Sequence, residues 1–368
     1  MENKVLFYFI SKCLTISTDE KNRNTVKEIL KSNSIDWDEF IKISSAHYII
    51  PALYINFKIT GFTNYLPDDL VNYMRSITHI NQNRNNEILK QVNEINKILR
   101  KENIIPVFIK GVGNLLSNLY CDNSERMIGD IDFIISKKDY SKSIKIMIEN
   151  GYEKYYKFNY DIPIYRHYER LVKKNNIAAI EIHKELVIKK YSGEFNYSSI
   201  SNRIIDLNGF QILDYSDMLI LSIVSGQIND HRYFYKTLSL KNAYDVFLLS
   251  KKINVKYVTK HLKKLTKVVK SFVYISYNIF NKIPELKFIK NSKTIRDYMS
   301  FKKNLISSRN TKIRFKIIKF YLHLVSRYNL LINCIKYSEY RRWLLNRITD
   351  KDWQNKKLYQ LGIKKRSD

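Results

Sequence analysis

The sequence predicts an α+β fold in which a small mixed β-sheet lies between an N-terminal and a C-terminal helical region. In residues 1–101 and 214–368, apolar side chains recur every three or four positions, a spacing typical of amphipathic helices. In residues 102–213, short apolar segments alternate with polar turns, which indicates strands and short helices. We therefore expect three regions with these boundaries, and the sheet in the middle one.

Length and composition narrow the class of protein. The chain has 368 residues, of which 45% are hydrophobic and 13% aromatic, so it can bury a substantial core. Cys13, Cys121 and Cys334 are too few and too scattered for a disulfide framework or a thiolate zinc site, so a cytoplasmic location is expected. Residues 4–12 predict an ordinary helix rather than a signal peptide, and no uncharged apolar run is long enough for a membrane span.

The formal net charge of +29 has two interpretations. A strongly basic chain is typical of a protein with a polyanionic partner such as nucleic acid. The chain is also rich in Lys, Asn, Ile and Tyr, which A/T-rich codons encode, so genome composition alone would raise the lysine count. Both interpretations stay open at this point.

The clearest helical pattern precedes the predicted sheet. Six apolar residues form one stripe at helical spacing: Ile88, Leu89, Val92, Ile95, Ile98 and Leu99. Another helix is expected to begin at Ser34, a candidate N-cap, because Asp36 and Asp38 follow it closely.

Three apolar segments predict the strands: residues 104–109, 128–135 and 179–183. A helix is expected over residues 140–150, with Gly151 at the position after the helix end where glycine is favoured.

A glycine turn follows the first predicted strand. Gly111 and Gly113 would let the backbone approach a phosphate, and a helix over residues 114–120, beginning at Asn114, would offer free N–H groups to an anion. Lys110 would pair with a triphosphate; the alternative is a lysine at a strand edge in solvent.

Asp130 and Asp132 are the candidate metal ligands on the second strand. Side chains two apart on a strand point to one face, so the two carboxylates lie side by side. Adjacent carboxylates repel each other unless a cation neutralises them, and Mg²⁺ prefers a few carboxylates together with substrate phosphates. The alternative is a chance pair of acids on a surface strand.

Glu181 is the candidate third carboxylate. Residues 168–172 and 177–183 are expected to pair as a hairpin, with Glu181 and His183 on one face. If this strand lies beside that of Asp130, three carboxylates converge, as two-metal phosphoryl transfer requires. The alternative is an exposed Glu–Lys pair. His183 is expected to orient or contact substrate, and Arg126 to stabilise phosphate charge unless it is an ordinary loop arginine.

Lysines dominate one face of a predicted C-terminal helix. Residues 251–270 contain no acidic residue. The lysines are Lys256, Lys260, Lys263, Lys267 and Lys270, and the apolar residues opposite them are Val255, Val258, Leu262, Leu265 and Val269. We expect one amphipathic helix whose lysine face either contacts phosphate or is solvated. The basic tail Lys364-Lys365-Arg366 is expected to be a frayed end.

These motifs together resemble the uncharacterised branch of nucleotidyltransferases in the polymerase-β superfamily. The resemblance rests on Ile109-Lys110-Gly111, Leu119-Tyr120, Arg126, Gly129-Asp130-Ile131-Asp132, Gly151-Tyr152, His167 and Ile180-Glu181-Ile182-His183. It extends to Asp36-Trp37-Asp38, residues 46–51 and Tyr244-Asp245-Val246, and so covers roughly residues 1–250. Asn114 stands where the superfamily usually has serine.

The resemblance implies a nucleotidyltransferase core in residues 102–213 and magnesium-dependent transfer of a nucleoside monophosphate from a nucleoside triphosphate such as ATP. Asp130, Asp132 and Glu181 would then hold two Mg²⁺ ions, Glu181 would activate the acceptor, and the turn at Gly111 would receive the phosphates. The acceptor would be RNA, for example tRNA, or a protein. The alternatives are a small-molecule acceptor such as an antibiotic, or a catalytically inactive relative that binds nucleic acid. Oligomeric state, nucleotide choice and pathway do not follow from the sequence.

Overall fold

The computed structural model of the chain describes residues 3–32, 34–155, 165–287, 291–306 and 308–360. The basic tail Lys364-Lys365-Arg366 lies outside these residues. The helices within them are α1 (Asn3–Cys13), α2 (Glu20–Lys31), α3 (Trp37–Ala46), α4 (Ile50–Thr60), α5 (Asp68–Lys101), α6 (Lys110–Leu116), α7 (Tyr140–Glu149), α8 (Tyr197–Ile200), α9 (Tyr215–Val224), α10 (Arg232–Tyr235), α11 (Leu240–Ser250), α12 (Thr266–Ile279), α13 (Ser292–Asn304), α14 (Arg309–Lys336), α15 (Ser338–Thr349) and α16 (Lys351–Gln360).

The sheet is mixed, as predicted. Its strands are β1 (Val107–Phe108), β2 (Ile131–Ile134), β3 (Glu153–Lys154), β4 (Leu171–Val172), β5 (Ile180–His183), β6 (Ile205–Leu207) and β7 (Phe210–Ile212), in the order β3-β4-β5-β2-β1-β7-β6. The pairs β2–β5 and β1–β7 are parallel, and the other neighbours are antiparallel. Helices precede and follow this sheet along the chain, which confirms the α+β prediction.

The N-terminal helices form where their apolar spacing predicts. Ile88, Val92, Ile95 and Leu99 are completely buried on one face of α5. One helix start was predicted wrongly: α3 begins at Trp37, and its N-cap is Asp36 rather than Ser34. The carboxylate of Asp36 accepts the backbone N–H of Glu39 at 3.0 Å, and a charged acceptor near a helix N-terminus is favoured over a neutral hydroxyl.

The strands predicted for the central region, and its helix α7, also form where the sequence predicts, but they are shorter than predicted. The first strand is only two residues long because Pro106 has no N–H and the backbone of Lys110 turns left-handed, with φ of +55°. Helix α7 ends one residue before its predicted end, and Gly151 follows with φ of +86°. The predicted hairpin is confirmed, since Leu171 in β4 pairs with Ile180 in β5.

The prediction of one continuous helix with a lysine face is wrong, but its prediction of which residues are buried is confirmed. Val255–Tyr257 forms a 3₁₀ turn, and α12 begins only at Thr266. The five apolar residues are nevertheless buried, each at 8% exposure or less. The carboxylate of Glu194 accepts the backbone N–H groups of Lys263 and Leu265 at 2.6 and 3.2 Å, so these donors are satisfied from outside the segment and a continuous helix is not needed.

The N-terminal and C-terminal helices pack against each other. The amide of Asn22 donates to the carbonyl of Phe280 at 3.1 Å, and the hydroxyls of Tyr8 and Tyr298 lie 3.0 Å apart. Among the helices of the described residues, none combines the length and the apolar character needed to cross a membrane.

Candidate active site

Two neighbouring parallel strands bring together the carboxylates that the sequence singles out. Asp132 in β2 pairs in register with Glu181 in β5, and Asp130 lies one residue before β2. Ile131 and Phe133 are completely buried on β2. The alternation along the strand therefore anchors the apolar side chains in the core and leaves the acids at its margin. The three carboxylate side chains are 24%, 11% and 10% exposed for Asp130, Asp132 and Glu181.

Asp132, Glu181 and His183 form a compact buried cluster. One ligand atom from each lies within 4.8 Å of the others, a spacing that fits a single metal ion. Nε2 of His183 lies 2.8 Å from Oδ1 of Asp132 and 3.5 Å from Oε2 of Glu181. Nδ1 of His183 is buried and has no hydrogen-bonding partner among the described residues.

Two basic side chains neutralise the carboxylates. The ammonium group of Lys110 donates to Oδ1 of Asp132 at 2.5 Å and lies 3.7 Å from Oε2 of Glu181. The guanidinium group of Arg170 donates to Oδ2 of Asp130 at 2.7 Å and to Oε1 of Glu181 at 2.8 Å. Positive charge thus lies against all three carboxylates. A divalent cation would bind at the same place.

The surroundings shift the pKa values of these groups in opposite directions. Burial by itself would raise the pKa of Glu181. The hydrogen bond from His183, the charges of Lys110 and His167 and the hydrogen bond from Arg170 outweigh it, so this pKa lies well below its usual value. Burial raises the pKa of Asp130, although Arg170 opposes the shift. The hydrogen bond to Glu181 raises the pKa of Arg170, in spite of partial burial. Glu181 is therefore ionised at neutral pH.

The glycine segment was predicted wrongly as a turn, because Gly111 and Gly113 lie inside the first turns of α6. A Cβ on Gly113 would lie 2.7 Å from the carbonyl oxygen of Phe108, and one on Gly111 would lie 3.1 Å from Cγ1 of Ile128. The absence of side chains therefore allows α6 to pack closely against β1 and the segment before β2. A phosphate contact by these glycines stays a prediction.

Arg126 and Asn114 belong to a second buried cluster, built around Asp245 of α11. The guanidinium of Arg126 lies 3.0 Å from Oδ2 of Asp245, while the hydroxyl of Tyr120 donates to Oδ1 of the same carboxylate at 2.7 Å. The amide of Asn114 donates to the Tyr120 hydroxyl at 3.3 Å. Nε of Arg126 is buried and has no hydrogen-bonding partner among the described residues. The predicted roles of both residues toward a nucleotide remain predictions.

Sequence reasoning did not assign a site role to Arg170 or His167. Since Leu171 pairs with Ile180, Arg170 stands opposite Glu181, and a hairpin centred between Asn175 and Asn176 would have shown this pairing. His167 donates from Nδ1 to the Tyr168 carbonyl at 2.7 Å, which directs its Nε2 toward Oε2 of Glu181 at 3.9 Å. Burial lowers the pKa of His167.

Comparison with known proteins identifies one family. A family model described as uncharacterised nucleotidyltransferase matches residues 33–276. No curated protein and no solved structure matched the chain. The matched range contains the whole sheet and both strands that carry the carboxylates, and it ends within α12, so α13 to α16 lie beyond it.

Proposed function

Because the chain belongs to the uncharacterised nucleotidyltransferase family, we propose that it transfers a nucleoside monophosphate from a nucleoside triphosphate to an acceptor hydroxyl with the help of Mg²⁺. The family places the chain among the transferases. The observation that supports the finer proposal is the meeting of Asp130, Asp132 and Glu181 at the margin of two parallel strands.

The residues present fit divalent metal ions. Carboxylate oxygens are the ligands that Mg²⁺ prefers, and Asp130, Asp132 and Glu181 supply them, with His183 beside them. The ring nitrogen of His183 that faces these carboxylates is Nε2, 2.8 Å from Oδ1 of Asp132 and 3.5 Å from Oε2 of Glu181. When bound, such ions offset the negative charge of the phosphates and of the transition state.

The chain's own residues would then bind and orient the substrates. Lys110 stands over Asp132 and Glu181 at the start of α6, within reach of phosphates held between the carboxylates and this helix. The side chain of Arg170 is 47% exposed, so its solvent-facing part would contact the negative charge of a triphosphate. Arg126, whose Nε has no hydrogen-bonding partner among the described residues, and Asn114 would also contact the phosphates.

We propose that one of the three carboxylates accepts the proton of the attacking hydroxyl. Glu181, which the resemblance favours for this role, is the less accessible candidate because it contacts His183, Lys110 and Arg170. Asp130 is the most exposed of the three carboxylates and is better placed for an incoming hydroxyl.

RNA is the acceptor that the charge favours, because the formal net charge is +29 and Lys256, Lys260, Lys263 and Lys267 are exposed. A protein side chain or a small hydroxylated metabolite is the alternative acceptor. A salt series separates these, since transfer to RNA should weaken steeply as salt rises and transfer to a small acceptor should change little.

The proposal is tested by incubating the protein with Mg²⁺, each of the four labelled nucleoside triphosphates, and RNA, protein or metabolite fractions in turn. We expect label transfer by the wild type and its loss in the double variant Asp130→Asn with Asp132→Asn. Asp69→Asn, an exposed acid on α5, is the matched control and should transfer label normally. Equal labelling by the wild type and the double variant would contradict the proposal, and no labelling by either would favour a non-catalytic relative.

A further inference from the structure

Helix α14 carries a continuous apolar stripe on its solvent side. Its members are Ile313, Ile317, Phe320, Leu324, Tyr328, Leu331 and Ile335, and each is between 47% and 74% exposed. The spacing of three or four residues keeps them on one helix face, over a length of about 33 Å at 1.5 Å per residue. So much exposed apolar surface on one helix indicates a surface that binds something.

A basic stripe runs beside the apolar one. Arg309, Lys312, Lys316, Lys319, His323 and Arg327 recur at the same spacing, and all six are exposed. At 100° per residue they occupy the face directly adjoining the apolar stripe, on one side of it. Helix α14 contains no acidic residue, so this charge is not balanced within the helix.

The remaining face of α14 attaches the helix to the rest of the chain. The guanidinium of Arg314 donates to the carbonyl of Tyr235 at 3.0 Å, and the rings of Phe315 and Tyr235 meet edge to face with centroids 5.2 Å apart. These contacts support the helix against the body of the protein, and Lys316, Lys319, Phe320 and His323 border an open cavity that Asp230 and Tyr235 also line.

We propose that α14 binds the surface of an anionic membrane, lying in the plane of the headgroups. Apolar residues on one face with Lys and Arg beside them are the features of interfacial helices, whose apolar face enters the acyl boundary while the cations contact anionic headgroups. This surface is separate from the carboxylate cluster, so it does not rest on the proposed transfer reaction.

Two other occupants fit the surface less well. RNA would need flat rings for base stacking, and five of the seven stripe residues are Ile or Leu. A second copy of α14 would bring two basic stripes together with no acidic side chain between them, which is unfavourable. An anionic membrane satisfies the apolar and the basic stripe at once.

The test is flotation of the full chain with phosphatidylcholine vesicles that either contain or lack phosphatidylglycerol. We expect binding to the anionic vesicles, weakened by added salt. The variant Ile317→Gln, Phe320→Gln, Leu324→Gln should lower the bound fraction at least about tenfold, because these residues supply the buried apolar area. Lys312→Gln, Lys316→Gln, Lys319→Gln should remove the preference for anionic vesicles.

The matched control is Ile59→Gln with Ile80→Gln, which changes isoleucines of similar exposure on α4 and α5 and should bind as the wild type does. All variants alter exposed side chains, so unchanged circular dichroism is expected and is checked first. Failure of the wild type to float with any vesicle overturns the proposal. It is equally overturned if the triple apolar variant abolishes RNA binding or a dimer in light scattering while leaving flotation intact.

Discussion

Replacing Lys110 by methionine should make the fold of the protein depend on divalent cations. The ammonium lies 2.5 Å from Asp132 and 3.7 Å from Glu181, and its side chain is 24% exposed. At an effective dielectric constant of about 20, the two attractions are roughly 7 and 4 kcal/mol before desolvation is subtracted. Removing one partner of a buried ion pair typically costs about 3–5 kcal/mol, and with solvent screening we expect about 2–3 kcal/mol here.

The assay is urea unfolding followed by circular dichroism, with EDTA and then with Mg²⁺. Lys110→Met should lose about 2–3 kcal/mol in EDTA and regain most of it in Mg²⁺, since a ligand at about 100 times its Kd adds roughly 2.7 kcal/mol. The matched control is Lys142→Met, whose pair with Glu102 is 54% and 51% exposed and should contribute less than about 1 kcal/mol. The reasoning is refuted if Lys110→Met is as stable as the wild type in EDTA and gains no more from Mg²⁺.

Two further predictions concern packing and pH. Gly113→Ala should lower the free energy of unfolding in urea by about 1–3 kcal/mol, because its Cβ would lie 2.7 Å from the Phe108 carbonyl oxygen. A Cβ on Gly193 would meet nothing within 4 Å, so Gly193→Ala should change stability little. Equal losses in the two variants would contradict the close-packing argument. Burial lowers the pKa of His47 from 6.5 to about 4, and its Nδ1 accepts the Leu240 N–H at 3.1 Å. Between these pH values the unfolded chain binds more protons than the folded one, so stability should fall by up to about 3 kcal/mol as pH drops from about 6.5 to 4. His47→Asn, which cannot charge, should show a smaller loss, and an unchanged pH profile would contradict this assignment.

Much of the candidate site could be predicted from local pattern. Period-two alternation placed Asp130 and Asp132 on one face of a strand, and Glu181 and His183 on one face of another. The hairpin after Tyr168 was also predictable, because its turn residues lie between two apolar segments. These inferences hold because the direction of a side chain on a strand depends only on its position along the strand.

Other features were beyond local pattern. Glycine is a poor helix former, so the sequence favoured a turn at Gly111 and Gly113. Only the structure shows that α6 packs so closely on β1 that a Cβ on Gly113 would lie 2.7 Å from the Phe108 carbonyl oxygen. In the lysine segment the burial period was predicted well, but the backbone hydrogen bonds go to Glu194, about 70 residues earlier in the chain. A local sequence pattern spans far fewer residues than this, so it could not include both Glu194 and the backbone groups that it binds.

The sequence by itself determined which side chains are buried and which acidic residues lie at the margin of the strands, since both follow from hydrophobic spacing. Tertiary structure alone decided that β2 and β5 are neighbours and that Lys110 and Arg170 stand against the carboxylates. It also decided that Arg126 pairs with Asp245. Hydrophobic period is a property of a few consecutive residues, whereas the partner of a charge depends on which distant segments the packed core brings within a few ångströms.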